Sequence, residues 1–189
     1  MSSSLKIWKS VTIVCALLIC SGCGAVDNGT TTLKPTPLSS FSEDPNSELG
    51  SRNNPISLGD AVVVNNWEVQ VTSVNKDAAK IVLKSDPYAT PPASAESFLL
   101  FMVKAKYVGE ESGEPISDLR FKIVGSMGNT FAKSCGYSVD SFDSNGETFP
   151  GATVKGNLCF TVDTNQIEGA TISIQGDYSP EDRKFISLS

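Results

Sequence analysis

From Phe98 to Val108 the chain repeats with a period of two. Leu99, Phe101, Val103, Ala105 and Tyr107 fall on one face, while Phe98, Leu100 and Met102 begin the other, which turns wet at Lys104 and Lys106. A helix would repeat near 3.6, so this stretch is a β-strand. It is apolar on one face throughout and on the other face at one end only. The pattern predicts a central strand with a core on one side and a smaller cover over one end of the other. The same period returns at Trp67, Val69 and Val71, at Leu119, Phe121 and Ile123, at Val154, Leu158, Phe160 and Val162, and over Thr171 to Gln175. Ala61 to Val64 and Phe185 to Leu188 add short apolar runs, the latter as a last edge strand.

Turn chemistry separates these runs. Asn65-Asn66 is a tight-turn pair, Ser126 to Asn129 a hairpin connection with Thr130 to Lys133 as the returning strand, and Pro150-Gly151 a further turn. Val74 is out of phase with Trp67, Val69 and Val71, which predicts a bulge near Thr72-Ser73. Only Asp77 to Ser85 departs from the period. It reads as one short helix capped by Asp77, with Ala78, Ile81 and Val82 on its inner side and Asp86-Pro87 ending it. Trp67, in phase with Val69 and Val71, belongs to the core. The expected fold is all-β, an immunoglobulin-like antiparallel sandwich of seven or eight short strands.

The first residues are of a different kind. Lys6 and Lys9 precede an apolar run from Val11 to Ile19 that is broken only by Thr12, and Ser21, Gly22 and Gly24 flank Cys23. The run is too short to cross a membrane, which takes about 20 apolar residues. It has the layout of a signal peptide over residues 1–22. Small residues followed by cysteine resemble a bacterial lipobox, in which the thiol of Cys23 receives a diacylglycerol and becomes the first residue; Cys20 stands where Leu is usual. Residues 23–54 follow as a polar tether, poor in large apolar side chains and unable to offset the entropy of ordering. The folded domain is expected over residues 55–189. This layout is expected to hold the protein by lipid on the extracytoplasmic face of the cell membrane; the alternative is an ordinary secretory signal cut near Ala25, which would remove Cys23.

Composition narrows the chemistry. The 189 residues include 15 Lys+Arg against 21 Asp+Glu and no histidine. An acidic chain without clustered cations is not expected to bind nucleic acid. Without histidine it lacks the Ser-His-Asp triad, the Cys-His dyad and imidazole metal ligands. Cys135 and Cys159 are an even pair in an exported chain and read as one structural disulfide. Cys159 is out of phase with Leu158 and Phe160, so the bridge should lie off the main core. Asp140, Asp143, Asn145 and Glu147 put four oxygen-bearing side chains into eight residues, which raises calcium. Their spacing does not follow the EF-hand loop, and a solvated loop with an Asn-Gly turn is the simpler reading. No metal site, cofactor or catalytic residue is expected.

Several of these features occur together in one known group. Leu58-Gly59-Asp60, Asn66 to Val71, the Phe98 to Tyr107 strand, Phe149-Pro150-Gly151 and Gly156 to Phe160 resemble the telokin-like immunoprotective-extracellular family, the immunoglobulin-like domains of Gram-positive lipoproteins. The cysteine pair and the Asp86 to Pro92 loop look like its actinobacterial branch. The resemblance covers Pro55 to Gly176. It implies the sandwich fold and brings no catalytic residue. The expected role is an envelope-anchored binding module for a protein, peptide or glycan, the alternative a structural or antigenic surface protein; an enzyme is not expected.

Overall fold

The computed structural model describes residues 48–136, 140–176 and 182–189. The signal segment, Cys23 and the tether up to residue 47 lie outside the described residues. Eight strands form two four-stranded antiparallel sheets. The first holds β1 (Ala61–Val64), β2 (Trp67–Asn75), β3 (Glu96–Tyr107) and β6 (Thr153–Asp163), in that order. The second holds β5 (Thr130–Phe131), β4 (Leu119–Val124), β7 (Thr171–Gly176) and β8 (Lys184–Ser187). β3 pairs with β6, and β4 with β7, across intervening strands of the other sheet. This is the Greek-key crossing of an immunoglobulin-like sandwich.

β3 is central, as its pattern predicts. It pairs with β2 over Trp67↔Tyr107 to Asn75↔Leu100 and with β6 over Glu96↔Asp163 to Lys106↔Thr153. Its inner residues Leu99, Phe101, Val103 and Ala105 are fully or almost fully buried. They meet Ile123, Ile172 and Ile174 of the facing sheet in one core. The expected bulge is present, as a register shift between Val71 and Ser73. Asn65 and Asn66 both adopt positive φ, 45° and 64°. Two left-handed residues match the twist of a two-residue hairpin, and asparagine tolerates that region better than most side chains.

Trp67 is the polar link between the sheets. Its ring is 0% exposed and packs on Tyr107 with centroids 4.9 Å apart. Its Nε1–H donates to Asp118 Oδ2 at 2.9 Å, and Asn65 Nδ2 donates to the Asp118 carbonyl at 3.0 Å. Asp118 ends a single helical turn, α2 (Pro115–Asp118), that leads into β4. A buried indole thus finds its hydrogen-bond partner on the other sheet.

The outer face of β3 carries a second, smaller core. Phe98 packs there with Ala78, Val82, Cys135 and Cys159. Cys135 and Cys159 form a disulfide with Cα atoms 5.5 Å apart. Cys159 lies opposite Leu100 and shares its outward face, which is why it was out of phase with the main core. The helix above it, α1 (Ala79–Ser85), differs from expectation in two details. Asp77 does not cap it; its own N–H is taken by the Asn75 side chain, and the cap position is Ala78. Ile81 is 50% exposed, because the helix meets the sheet through Ala78, Ala79 and Val82.

The domain also begins earlier than Pro55. Residues 48–54 lie against β8 rather than in a tether. Phe185 N–H donates to the Gly50 carbonyl at 2.8 Å, and Lys184 pairs with Glu48 at 2.8 Å. Ile56 continues alongside with bonds to Phe185 and Ser187. β8 is the last strand of its sheet, as the sequence suggested, and this segment lies along its outer side through Gly50 and Ile56. Individually polar residues were misread because main-chain pairing, not apolar burial, holds them.

Two expectations follow. With Trp8 replaced by Phe, emission from Trp67 should be blue-shifted and move red on unfolding, and Trp67→Ala should cost about 3–5 kcal/mol in denaturant titration; a red native emission would contradict the burial. Non-reducing peptide mapping should recover Cys135 joined to Cys159, and Cys135→Ala/Cys159→Ala should lose about 3–4 kcal/mol while keeping the β-sheet circular dichroism.

Candidate functional site

The short β5 opens the side of the sandwich. It pairs with β4 only at Ile123↔Phe131 and Val124↔Thr130. The chain then leaves β4 and crosses to the first sheet, where the Lys133 carbonyl accepts from Thr161 N–H at 2.8 Å and Cys135 N–H donates to the Cys159 carbonyl at 3.3 Å. The segment 133–135 therefore covers the edge of β6 and leaves half of β4 uncovered. The direction of the free groups follows from alternation. Gly125 bonds toward Asn129 and Gly128, on the β5 side. Every second residue back, Ile123, Phe121 and Leu119, must point its N–H and C=O the same way. Ile123 meets β5, and Leu119 N–H turns back to the Pro115 carbonyl. Phe121 has no strand opposite it on that side among the described residues.

Between this edge and β6 lies a groove of about 460 Å³. Phe121, Phe142, Leu158 and Phe160 form its apolar base. The rings interlock: Phe121 meets Phe142 edge-on at 5.8 Å and Phe101 at 6.2 Å, and Phe101 stacks on Phe160 at 5.8 Å. Phe142 belongs to a single 3₁₀ turn, Phe142–Ser144, that closes one end. Three features hold that turn. Asn157 N–H donates to the Asp140 carbonyl at 2.7 Å. Asn145 Nδ2 bridges the carbonyls of Phe142, at 2.9 Å, and Lys155, at 3.1 Å. Gly156 of β6 lets the Phe142 backbone come so close that any Cβ would collide with it.

The rim is positive on one wall. Arg120 and Lys122 stand exposed on the outer face of β4, beside Gln175 and Ser173 of β7. Arg183 reaches the same place, donating to Gln175 Oε1 at 2.8 Å through Nη2. The Lys122 side chain makes no ion pair among the described residues. Among the described residues one carboxylate, Asp143, also lines the groove. It reaches the surface but loses part of its hydration to the surrounding protein, which raises its carboxyl above the usual range.

The residues singled out from sequence fall elsewhere or apart. Cys23 lies outside the described residues. The disulfide sits just behind the groove and pins the crossing segment to β6. Asp140, Asp143, Asn145 and Glu147 do not converge on one point: Asn145 is spent on two backbone carbonyls, and Glu147 accepts from the Ser112 hydroxyl at 2.7 Å. No three acidic or cysteine side chains gather as a metal cage among the described residues. Sequence reading missed the groove, since Thr130 to Lys133 looked like a full return strand. Only two of those residues pair with β4.

No family model and no curated protein matches this chain. Solved structures do. A conserved hypothetical protein of Bacillus anthracis aligns over 70% of this chain and 95% of its own, with 12% identity and a TM-score of 0.50. The secreted protein MPT63 of Mycobacterium tuberculosis covers 70% and 95%, with 13% identity and a TM-score of 0.47. A candidate lipoprotein of Bacillus subtilis covers 67% of this chain and 37% of its own, with 12% identity and a TM-score of 0.47. At such identities the likeness is one of fold.

Asp143 gives a pH test of the groove wall. A carboxyl whose pKa is raised on folding favours the protonated native state. Its contribution is greatest below the unfolded carboxylate value, about 4, and is lost as pH rises through the folded one. Asp143→Asn should therefore be more stable than the parent at neutral pH, with the difference vanishing in acid, as read from urea midpoints at the two pH values.

Proposed function

We propose that this chain is an exported lipoprotein, held on the extracytoplasmic face of the membrane through Cys23, whose sandwich binds a partner of the cell envelope in the β4–β6 groove. The observation that carries this reading is the groove itself: an aromatic base, a rim with positive charge on one wall, and a sheet edge with no strand opposite Phe121 among the described residues. Pockets that hold ligands combine apolar lining with a few convergent polar groups, and this one has both. The small-Gly-Cys sequence after an apolar run supports the anchor. The motifs from Leu58 to Phe160 support membership of the telokin-like immunoprotective-extracellular family. Binding, not catalysis, is proposed.

Two measurements test it. Cys23→Ser should move the protein from the membrane fraction to the soluble one; a processed variant that stays in the membrane rules out the anchor. Affinity capture from native envelope, with the disulfide intact, should yield a stoichiometric partner that is lost in Ile116→Glu. Ile116 is 47% exposed at the mouth of the groove, so the substitution alters the site without disturbing the core. Absence of a partner would favour a structural or antigenic role, and a partner indifferent to Ile116→Glu would place binding elsewhere.

A further inference from the structure

We propose that the occupant of the groove is an extended polypeptide segment that adds as a strand to the open half of β4, with an apolar side chain opposite Phe121 and acidic side chains opposite Arg120 and Lys122. This rests on the groove being the binding site and specifies what enters it.

The backbone supplies the first reason. Among the described residues no strand lies opposite β4 from Leu119 to Lys122 on this side, and alternation turns the Phe121 N–H and C=O that way. Exposed strand edges of this kind are completed by an added strand, whose main chain supplies affinity and whose alternate side chains supply specificity. Four residues at about 3.3 Å each span about 13 Å, enough for three or four peptide units.

Side-chain alternation supplies the second. Residues directly opposite one another in a sheet share a face. The position opposite Phe121 therefore points to the aromatic base formed with Phe142 and Phe160. The positions opposite Arg120 and Lys122 point outward, where those two side chains and Arg183 gather. An acidic–apolar–acidic sequence complements both faces, whereas a basic one meets like charge. The same charges disfavour a second copy, since two β4 edges paired about Phe121 would oppose Arg120 of one copy to Lys122 of the other. Lysine on an edge strand also keeps strands from pairing indiscriminately, which leaves room for a partner that neutralises it.

The other edges lack this combination. Residues 50–56 cover β8, and residues 133–135 cover β6. The free side of β1, Ala61–Val64, carries no charged residue.

The experiment uses the disulfide-intact protein and a blocked peptide, acetyl-Glu-Leu-Glu-Leu-Glu-amide, with its Lys-Leu-Lys-Leu-Lys counterpart. Fluorescence anisotropy of labelled peptide should show binding of the acidic form only. Lys122→Glu should weaken that binding about tenfold or more, equivalent to 1.4 kcal/mol, and improve binding of the basic form. N-methylation of the leucine amides should abolish it. Hydrogen exchange should show the Phe121 amide slowed by the acidic peptide. The proposal is overturned if the acidic peptide fails to bind at millimolar concentration, if binding ignores Lys122→Glu or N-methylation, or if soluble glycan fragments, and not the peptide, slow Phe121. An envelope partner sensitive to Ile116→Glu that leaves Phe121 exchange unchanged would sink strand addition and leave the groove reading standing.

Discussion

Pairing along both sides of β3 is the interaction on which the rest of the domain depends. Of the twelve residues from Glu96 to Tyr107, Leu100 to Tyr107 pair with β2 on one side and Glu96 to Lys106 with β6 on the other. That pairing sets two cores at once. The inner face meets the second sheet, and the outer face at Phe98 and Leu100 receives α1 and the disulfide. A slip of one residue would exchange the two faces and bury Lys104 and Lys106. Trp67 then locks the sheets together through Asp118, at the end of β3 where Tyr107 lies.

A sandwich must deal with its edges, and this one does so unevenly. The entering segment covers β8, and the crossing segment covers β6. The chain has one short stretch after Phe131 and uses it on β6, where the Cys135–Cys159 bond holds it. Among the described residues, half of β4 is left without a strand beside it as a result. The groove is thus a consequence of connectivity. The disulfide that stabilises the fold also keeps the groove from being closed by its own return strand.

Much of the fold was legible because period two is a local property. The inner face of β3, the Asn65-Asn66 turn, the bulge at Thr72-Ser73 and the outward position of Cys159 all follow from spacing along a few residues. The errors share a cause. Asp77 looked like a cap, but the helix begins at Ala79 and puts Ala78 in the cap position, one residue beyond it. Ile81 looked internal, but a helix of two turns lying on a sheet buries only the residues that face it. Glu48 to Asn54 looked like tether, because backbone bonds to β8 leave no mark in side-chain hydropathy. Phe142 was passed over inside a polar run, although it forms the end of the groove.

By itself the sequence determined the all-β class, the two-faced central strand, the core position of Trp67 and the pairing of its two late cysteines. Each depends on residue type at a fixed local spacing. The tertiary structure alone decided which strand edges are covered, where the aromatic residues of β4, β6 and the 3₁₀ turn meet, and which cations gather at the groove. These depend on where a chain that has left one sheet lands on the other. Strands far apart in sequence settle that through main-chain hydrogen bonds, which every residue but proline can donate and no side-chain pattern records.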